Sequence, residues 1–154
     1  MAIEKIQVNS TVYNLSSTVF DGQWVISPYM ILQGTALSAT TTYQYSLTSY
    51  LPNDGYSYEV IFSGTCSTTS TKGKTASVFI YPGQKTYSDM ETLSGGIRIA
   101  RAVARTAANQ KYGGSAVVPL TGATRYITVN TMDSSANSTV YLWASAYRRL
   151  GTNA

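Results

Sequence analysis

Several stretches of this chain alternate along their length with a period of two residues. In "TASVFIY", Ala76, Val78 and Ile80 oppose Ser77, Phe79 and Tyr81. In "TRYITVN", Arg125, Ile127 and Val129 oppose Tyr126, Thr128 and Asn130. In "YSYEVIFS", Tyr56, Tyr58, Val60 and Phe62 oppose Ser57, Glu59, Ile61 and Ser63. A period of two is the strand signature, because successive side chains point to opposite faces of a sheet. Turn residues punctuate these stretches: Asp21-Gly22, Pro52-Asn53-Asp54-Gly55, Pro82-Gly83 and "MDSSANS". About eight or nine short strands with such spacing predict an all-β chain, a single-domain antiparallel β-sandwich of jelly-roll type.

Individual stretches add detail. In "TVYLWASAYRRL", Thr139, Tyr141, Trp143, Ser145 and Tyr147 alternate with Val140, Leu142, Ala144, Ala146 and Arg148. Both faces are apolar, so this strand should be central or covered on both sides. Pro28 in "WVISPYMIL" removes a ladder donor, so a strand there should lie at an edge or end. Five tyrosines fall within residues 43–62 around the Pro-Asn-Asp-Gly turn. The two flanking strands read as a hairpin, with Tyr50 and Tyr56 the wettest rings and the other tyrosines packed. "GIRIARAVARTAANQ" reads as helix or strand. Ile97 and Ile99 are two apart, which breaks an apolar helical stripe and favours a strand with Ile97, Ile99, Val103, Arg101 and Arg105 on one face. Residues 1–20 read as an N-terminal arm or docking strand, and residues 21–154 as the sandwich.

Charged residues make up only 12% of the 154, against 40 serines and threonines and 13 tyrosines. The surface must therefore consist largely of hydroxyls, phenols and amides. The net charge of +4 is dispersed, with Lys72 and Lys74 at a turn and Arg148-Arg149 near the end. A nucleic-acid footprint needs a denser basic stripe, so nucleic acid is not expected as a partner. No apolar run approaches the ~18 residues of a membrane-spanning helix. No charged leader followed by an apolar run opens the chain, so no signal peptide is expected.

Without histidine, the chain has no Ser-His-Asp or Cys-His nucleophile system and no histidine metal site. Cys66, the lone cysteine, reads as a small half-buried residue at a strand end. Asp89 and Glu91, two residues apart, are the best carboxylate pair for glycoside hydrolysis or calcium, but they sit in a turn-rich stretch where acids serve the backbone. The chain therefore reads as no enzyme, with no catalytic residue, no cofactor and no metal.

Two binding surfaces remain. Tyr50, Asn53, Asp54 and Tyr56 combine flat rings with amide and carboxylate groups, which suits stacking on a sugar and bonding its hydroxyls. Arg98, Arg101, Arg105, Tyr141, Trp143 and Tyr147 are candidates for an oligomer interface, where aromatics and arginine are enriched.

The stretches "YLPNDGYSYEVIFSG", "GIRIARAVART", "SAVVPLTGATRYITV" and "YLWASAYRRLGTN" resemble small virion surface domains of tailed bacteriophages. The resemblance is to head-fibre, capsid-auxiliary and tail-fibre β domains of crAss-like gut phages. It implies a homotrimeric β-sandwich on a virion, attached to other virion proteins through its N-terminal segment, with distal loops touching host glycans. It carries over no site residue. A stand-alone lectin-like carbohydrate-binding module is the alternative.

Overall fold

The computed structural model describes residues 5–8, 11–14, 22–38, 41–68, 75–86, 95–103, 111–133 and 137–150. The chain is all-β. Two short strands, β1 (Lys5–Val8) and β2 (Thr11–Asn14), pair antiparallel with each other as a separate sheet. Eight more form the sandwich: β3 (Trp24–Ser38), β4 (Tyr43–Ser46), β5 (Ser57–Thr68), β6 (Thr75–Pro82), β7 (Ile97–Val103), β8 (Lys111–Leu120), β9 (Tyr126–Asp133) and β10 (Asn137–Leu150).

The pairing of these eight is that of one long hairpin rolled up. The first strand pairs with the last (β3·β10), then β4 with β9, β5 with β8 and β6 with β7, all antiparallel. Rolling places alternate pairs in opposite layers, giving sheet 1 in the order β3-β10-β5-β8 and sheet 2 in the order β4-β9-β6-β7. This is the two-sheet jelly roll.

Residues 43–62 therefore do not form the hairpin that their alternation suggests. β4 belongs to sheet 2 and β5 to sheet 1. Strand β4 stops at Ser46 because the next residues close a helical turn, in which the Leu47 carbonyl accepts from the amides of Tyr50 and Leu51 at 3.0 and 2.8 Å. Leu47 and Leu51 plug the end of the core, and the chain crosses from one sheet to the other.

The apolar halves of the strands meet between the sheets. Tyr58, Phe62, Leu37, Leu120, Ile127 and Leu142 are fully buried there. Cys66 is also fully buried, its thiol directed at the Ala76 carbonyl at 3.7 Å, rather than half-buried at a strand end. Strand β10 is central in sheet 1, as its two apolar faces require, and β3, carrying Pro28, is an edge. Where β7 crosses sheet 1 the backbones nearly touch. Gly64 and Gly114 sit opposite one another on β5 and β8, with Ile99 above both. A β-carbon on Gly114 would run into the Ile99 carbonyl oxygen.

Register shifts interrupt the simple alternation in several pairings, and two of them bear on the candidate residues. Against β5, Ser145 is an extra residue between Ala144↔Phe62 and Ala146↔Ile61. Against β6, Ile99 is extra between Arg98↔Phe79 and Ala100↔Val78. A bulge advances the phase by one residue, so side chains beyond it change face.

Candidate functional site

The crossover at residues 47–56 is held by one buried cation. Arg125 begins the entry into β9 in the inward phase and is 3% exposed. Its Nε donates to the Pro52 carbonyl at 2.9 Å and its Nη1 to Thr124 O at 3.0 Å. Its Nη2 reaches Tyr56 O at 3.1 Å and Asp54 Oδ1 at 3.2 Å. Asp54 also accepts from the Tyr56 amide and, at 2.6 Å, from the Tyr58 hydroxyl, and Arg149 lies 3.8 Å away. A planar guanidinium with several donors suits this role, because one group satisfies several otherwise orphaned carbonyls.

Beside this node lies an aromatic cluster. Tyr50 stacks on Tyr29 at 5.4 Å and meets Tyr147 edge-on at 5.2 Å, and Tyr147 meets Tyr58 edge-on at 5.8 Å. Burial, reinforced by Tyr147, pushes the Tyr50 hydroxyl up to about 12. Burial and then the hydrogen bond to Asp54 raise that of Tyr58. Tyr50 is therefore interior rather than wet, and the half-buried Tyr56 ring lies under Arg149 at 4.4 Å. Of the four residues expected to touch a glycan, Asp54 is engaged by the fold and Asn53 alone keeps an exposed side chain with no bond among the described residues.

The six candidate interface residues separate. Tyr141 and Trp143 lie on the outer face of sheet 1, with Tyr141 over Gly34 and Trp143 paired with Met30. Tyr147, beyond the Ser145 bulge, is opposite Val60 on the inner face, so these three aromatics do not share a surface. Arg98 and Arg101 are exposed on the outer face of sheet 2, opposite Phe79 and Ser77, on the far side of the molecule. The Ile99 bulge places both arginines outward and turns Arg101 away from Ile99. Arg105, Asp89, Glu91, Lys72 and Lys74 lie outside the described residues.

The two outer faces contrast. That of sheet 2 is covered over β9 by the chain itself: the Lys85 amide donates to Thr128 Oγ1, which donates to Gly83 O, each at 2.8 Å. Asn130 donates to Thr41 O at 3.1 Å, and Thr128 and Asn130 are fully buried. Sheet 1 has no such cover among the described residues. One row, Ile26–Ala146–Ile61–Val117, crosses all four of its strands. Ile26 is 80% exposed, Met30 51% and Val117 45%. Pro28, Tyr29, Met30 and Trp143 line a shallow depression of about 400 Å³ beside that row. The only charged pair among the described side chains of this face is Glu59–Arg148, bonded at 2.6–2.7 Å. Arg148 also lies 4.8 Å over the Trp24 ring. Ser63 and Ser145 share a hydroxyl bond at 3.2 Å. Ile26, Ile61, Met30 and Val117 gave no signal in sequence, since isolated apolar residues in an outward phase are ordinary; only their alignment across four strands sets them apart.

Among the described residues no group of three or more His, Cys, Asp or Glu side chains gathers as metal ligands, and no helix is long and apolar enough to cross a membrane.

No protein-family model matches the chain, and no curated protein matches it. Among solved structures, the chain is similar to a chain in the structure of infectious bursal disease virus, Gx strain, with a TM-score of 0.41 and 11% identity, over 99% of this chain and 37% of that one. It is also similar to a chain in the nora virus structure, with a TM-score of 0.34 and 15% identity, over 90% of this chain and 64% of that one. The chain spans less than two thirds of the length of either.

Proposed function

We propose that this chain is a non-enzymatic structural domain of a virion surface that works by packing against further copies of itself through the outer face of sheet 1. The carrying observation is the apolar row Ile26–Ala146–Ile61–Val117, whose two end residues Ile26 and Val117 are exposed, with Met30 and Trp143 beside it. The jelly roll serves both viral capsid and lectin domains, so the fold alone does not choose between them. The face does. A chain with net charge +4 repels its copies wherever its charge is presented. On this face the described charges are one mutually paired Glu59–Arg148, so a second copy buries no uncompensated ion. From the Trp24–Arg148–Glu59 row to Thr139, four strands cover roughly 19 Å by 30 Å. That is roughly 600 Å² of flat area, approaching the ~800 Å² that each partner contributes to a standard interface.

The finer reading follows the sequence resemblance. The domain is homo-oligomeric, a trimer, on a tailed-phage particle as a head fibre or capsid decoration, and the N-terminal β1–β2 segment attaches it to other virion proteins. Thiol labelling tests the assembly. Cys66 is buried and gives little background. Val117→Cys should be protected from a maleimide in concentrated solution and labelled on dilution, whereas Arg101→Cys should label equally in both. Equal labelling of Val117→Cys at all concentrations would refute assembly through this face.

A further inference from the structure

A second surface feature lies at the end of the sandwich where β6 ends and β8 turns into β9. Asn53, Gln84, Thr48, Thr124 and Tyr126 surround a shallow depression of about 300 Å³. Tyr126 is 37% exposed. The side-chain amides of Asn53 and Gln84 make no hydrogen bond among the described residues. Gly83 and Ala123, which also line the hollow, have little side chain to fill it.

The rim is fixed before any ligand arrives. The Gly83 amide donates to Tyr126 O at 2.8 Å, and Thr128 ties Gly83 and Lys85 to β9. Arg125 anchors the carbonyls on either side of Asn53 and Asp54. Little loop ordering is then needed on binding. The charge of Arg125 faces the protein interior, where Asp54 and three carbonyls occupy its donors. The hollow thus offers a flat phenol, two free amides and hydroxyls, with no unpaired charge among the described side chains.

From this geometry we infer that the depression binds one neutral hexopyranose unit. A pyranose has an apolar C–H face that lies on an aromatic ring, and an equatorial rim of vicinal hydroxyls that an amide can both donate to and accept from. The volume is at the lower end of the ~300–1,000 Å³ of small-ligand sites, which suits a single ring. Among the described residues lining the hollow, an anionic ligand finds no free cation. The inference stands apart from the assembly reading, because none of the residues forming the hollow belongs to the apolar row of sheet 1.

Saturation-transfer NMR with methyl α-glucopyranoside, methyl β-galactopyranoside, methyl α-mannopyranoside and methyl N-acetyl-β-glucosaminide, each at millimolar concentration, tests this. At least one should receive saturation from the protein. Tyr126→Ala should weaken that binding about tenfold or more, as loss of an aromatic anchor does. Asn53→Ala and Gln84→Ala should each weaken it about three- to tenfold, the loss of one hydrogen bond. Tyr112→Ala, which removes another exposed ring, should leave it unchanged. No transfer to any of the four glycosides would overturn the inference. So would equal losses in Tyr112→Ala and Tyr126→Ala, or stronger binding of N-acetylneuraminate than of every neutral glycoside.

Discussion

Arg125 lies 3.2 Å from Asp54 across a turn between the two sheets, and it holds that turn at the backbone carbonyls of Pro52 and Tyr56 as well. Sheet 2 thereby grips the chain as it enters sheet 1. Replacing Arg125 with alanine strands the carbonyls of Pro52 and Tyr56 and leaves Asp54 with the Tyr58 hydroxyl, the Tyr56 amide and Arg149. The loss expected is about 2–4 kcal/mol, from two carbonyls left without a donor. Arg125→Lys should recover only part of it, because an ammonium cannot reproduce the fork. Urea denaturation of both variants reads this directly. A loss below about 1 kcal/mol for Arg125→Ala would show that the crossover does not depend on this residue.

The approach of the sheets at Gly114 gives a second expectation. Alanine there meets the Ile99 carbonyl oxygen, so backbone must move. Gly114→Ala should lower stability by about 1–3 kcal/mol, the usual range for overpacking. Gly95→Ala, where a β-carbon meets nothing within 4 Å, should stay within about ±0.5 kcal/mol. Thermal unfolding of the two variants side by side is the comparison.

Tyr50 and Tyr58 are both buried, but only Tyr58 donates its hydroxyl, to Asp54 at 2.6 Å. The Tyr50 hydroxyl has no partner among the described residues. Tyr58→Phe should therefore destabilise by about 1.5–3 kcal/mol, as for a bond to a charged group. Tyr50→Phe should be neutral or stabilising by about 1 kcal/mol, since it removes an unpaired buried hydroxyl. Denaturant midpoints of the two variants should move in opposite directions, or Tyr50→Phe should not move at all.

The same ring sets an alkaline limit. Unfolded, Tyr50 ionises at its ordinary 10.0; folded, burial holds it protonated to about 12. The folded state then binds more protons above pH 10, so the contribution is complete below pH 10 and is lost as pH rises toward 12. Stability measured at pH 8, 10 and 12 should be flat over the first interval and fall over the second. Tyr50→Phe should reduce that fall.

Much of the architecture is legible in the residues. The two apolar faces of "TVYLWASAYRRL" require a central strand, Pro28 requires an edge, and the phase of "TRYITVN" already puts Arg125 with Ile127 and Val129 on the inward side. Partner choice is not legible. Alternation in "YQYSLTSY" and "YSYEVIFS" assigns faces within each strand but does not say that one lies in each sheet. That is decided by Leu47 and Leu51, whose burial ends β4 in a helical turn. Bulges are the other blind spot. Ser145 and Ile99 each shift the phase by one residue, which sends Tyr147 inward and keeps Arg98 and Arg101 together on the outside. Nothing in "WASAY" or "RIARA" marks such an insertion, because it is fixed by the neighbouring strand. The hollow at Tyr126 joins residues from three separate segments, so only the rolled chain brings them together.

Sedimentation equilibrium of the wild type and of the double variant Ile26→Lys/Val117→Lys tests the proposed self-association most directly. The wild type should sediment as a multiple of 16.6 kDa at micromolar concentration, and the double variant at 16.6 kDa with an unchanged circular dichroism spectrum. A wild type that remains at 16.6 kDa, or an oligomer that survives both lysines but dissociates on Arg98→Glu/Arg101→Glu, would contradict assembly through the outer face of sheet 1.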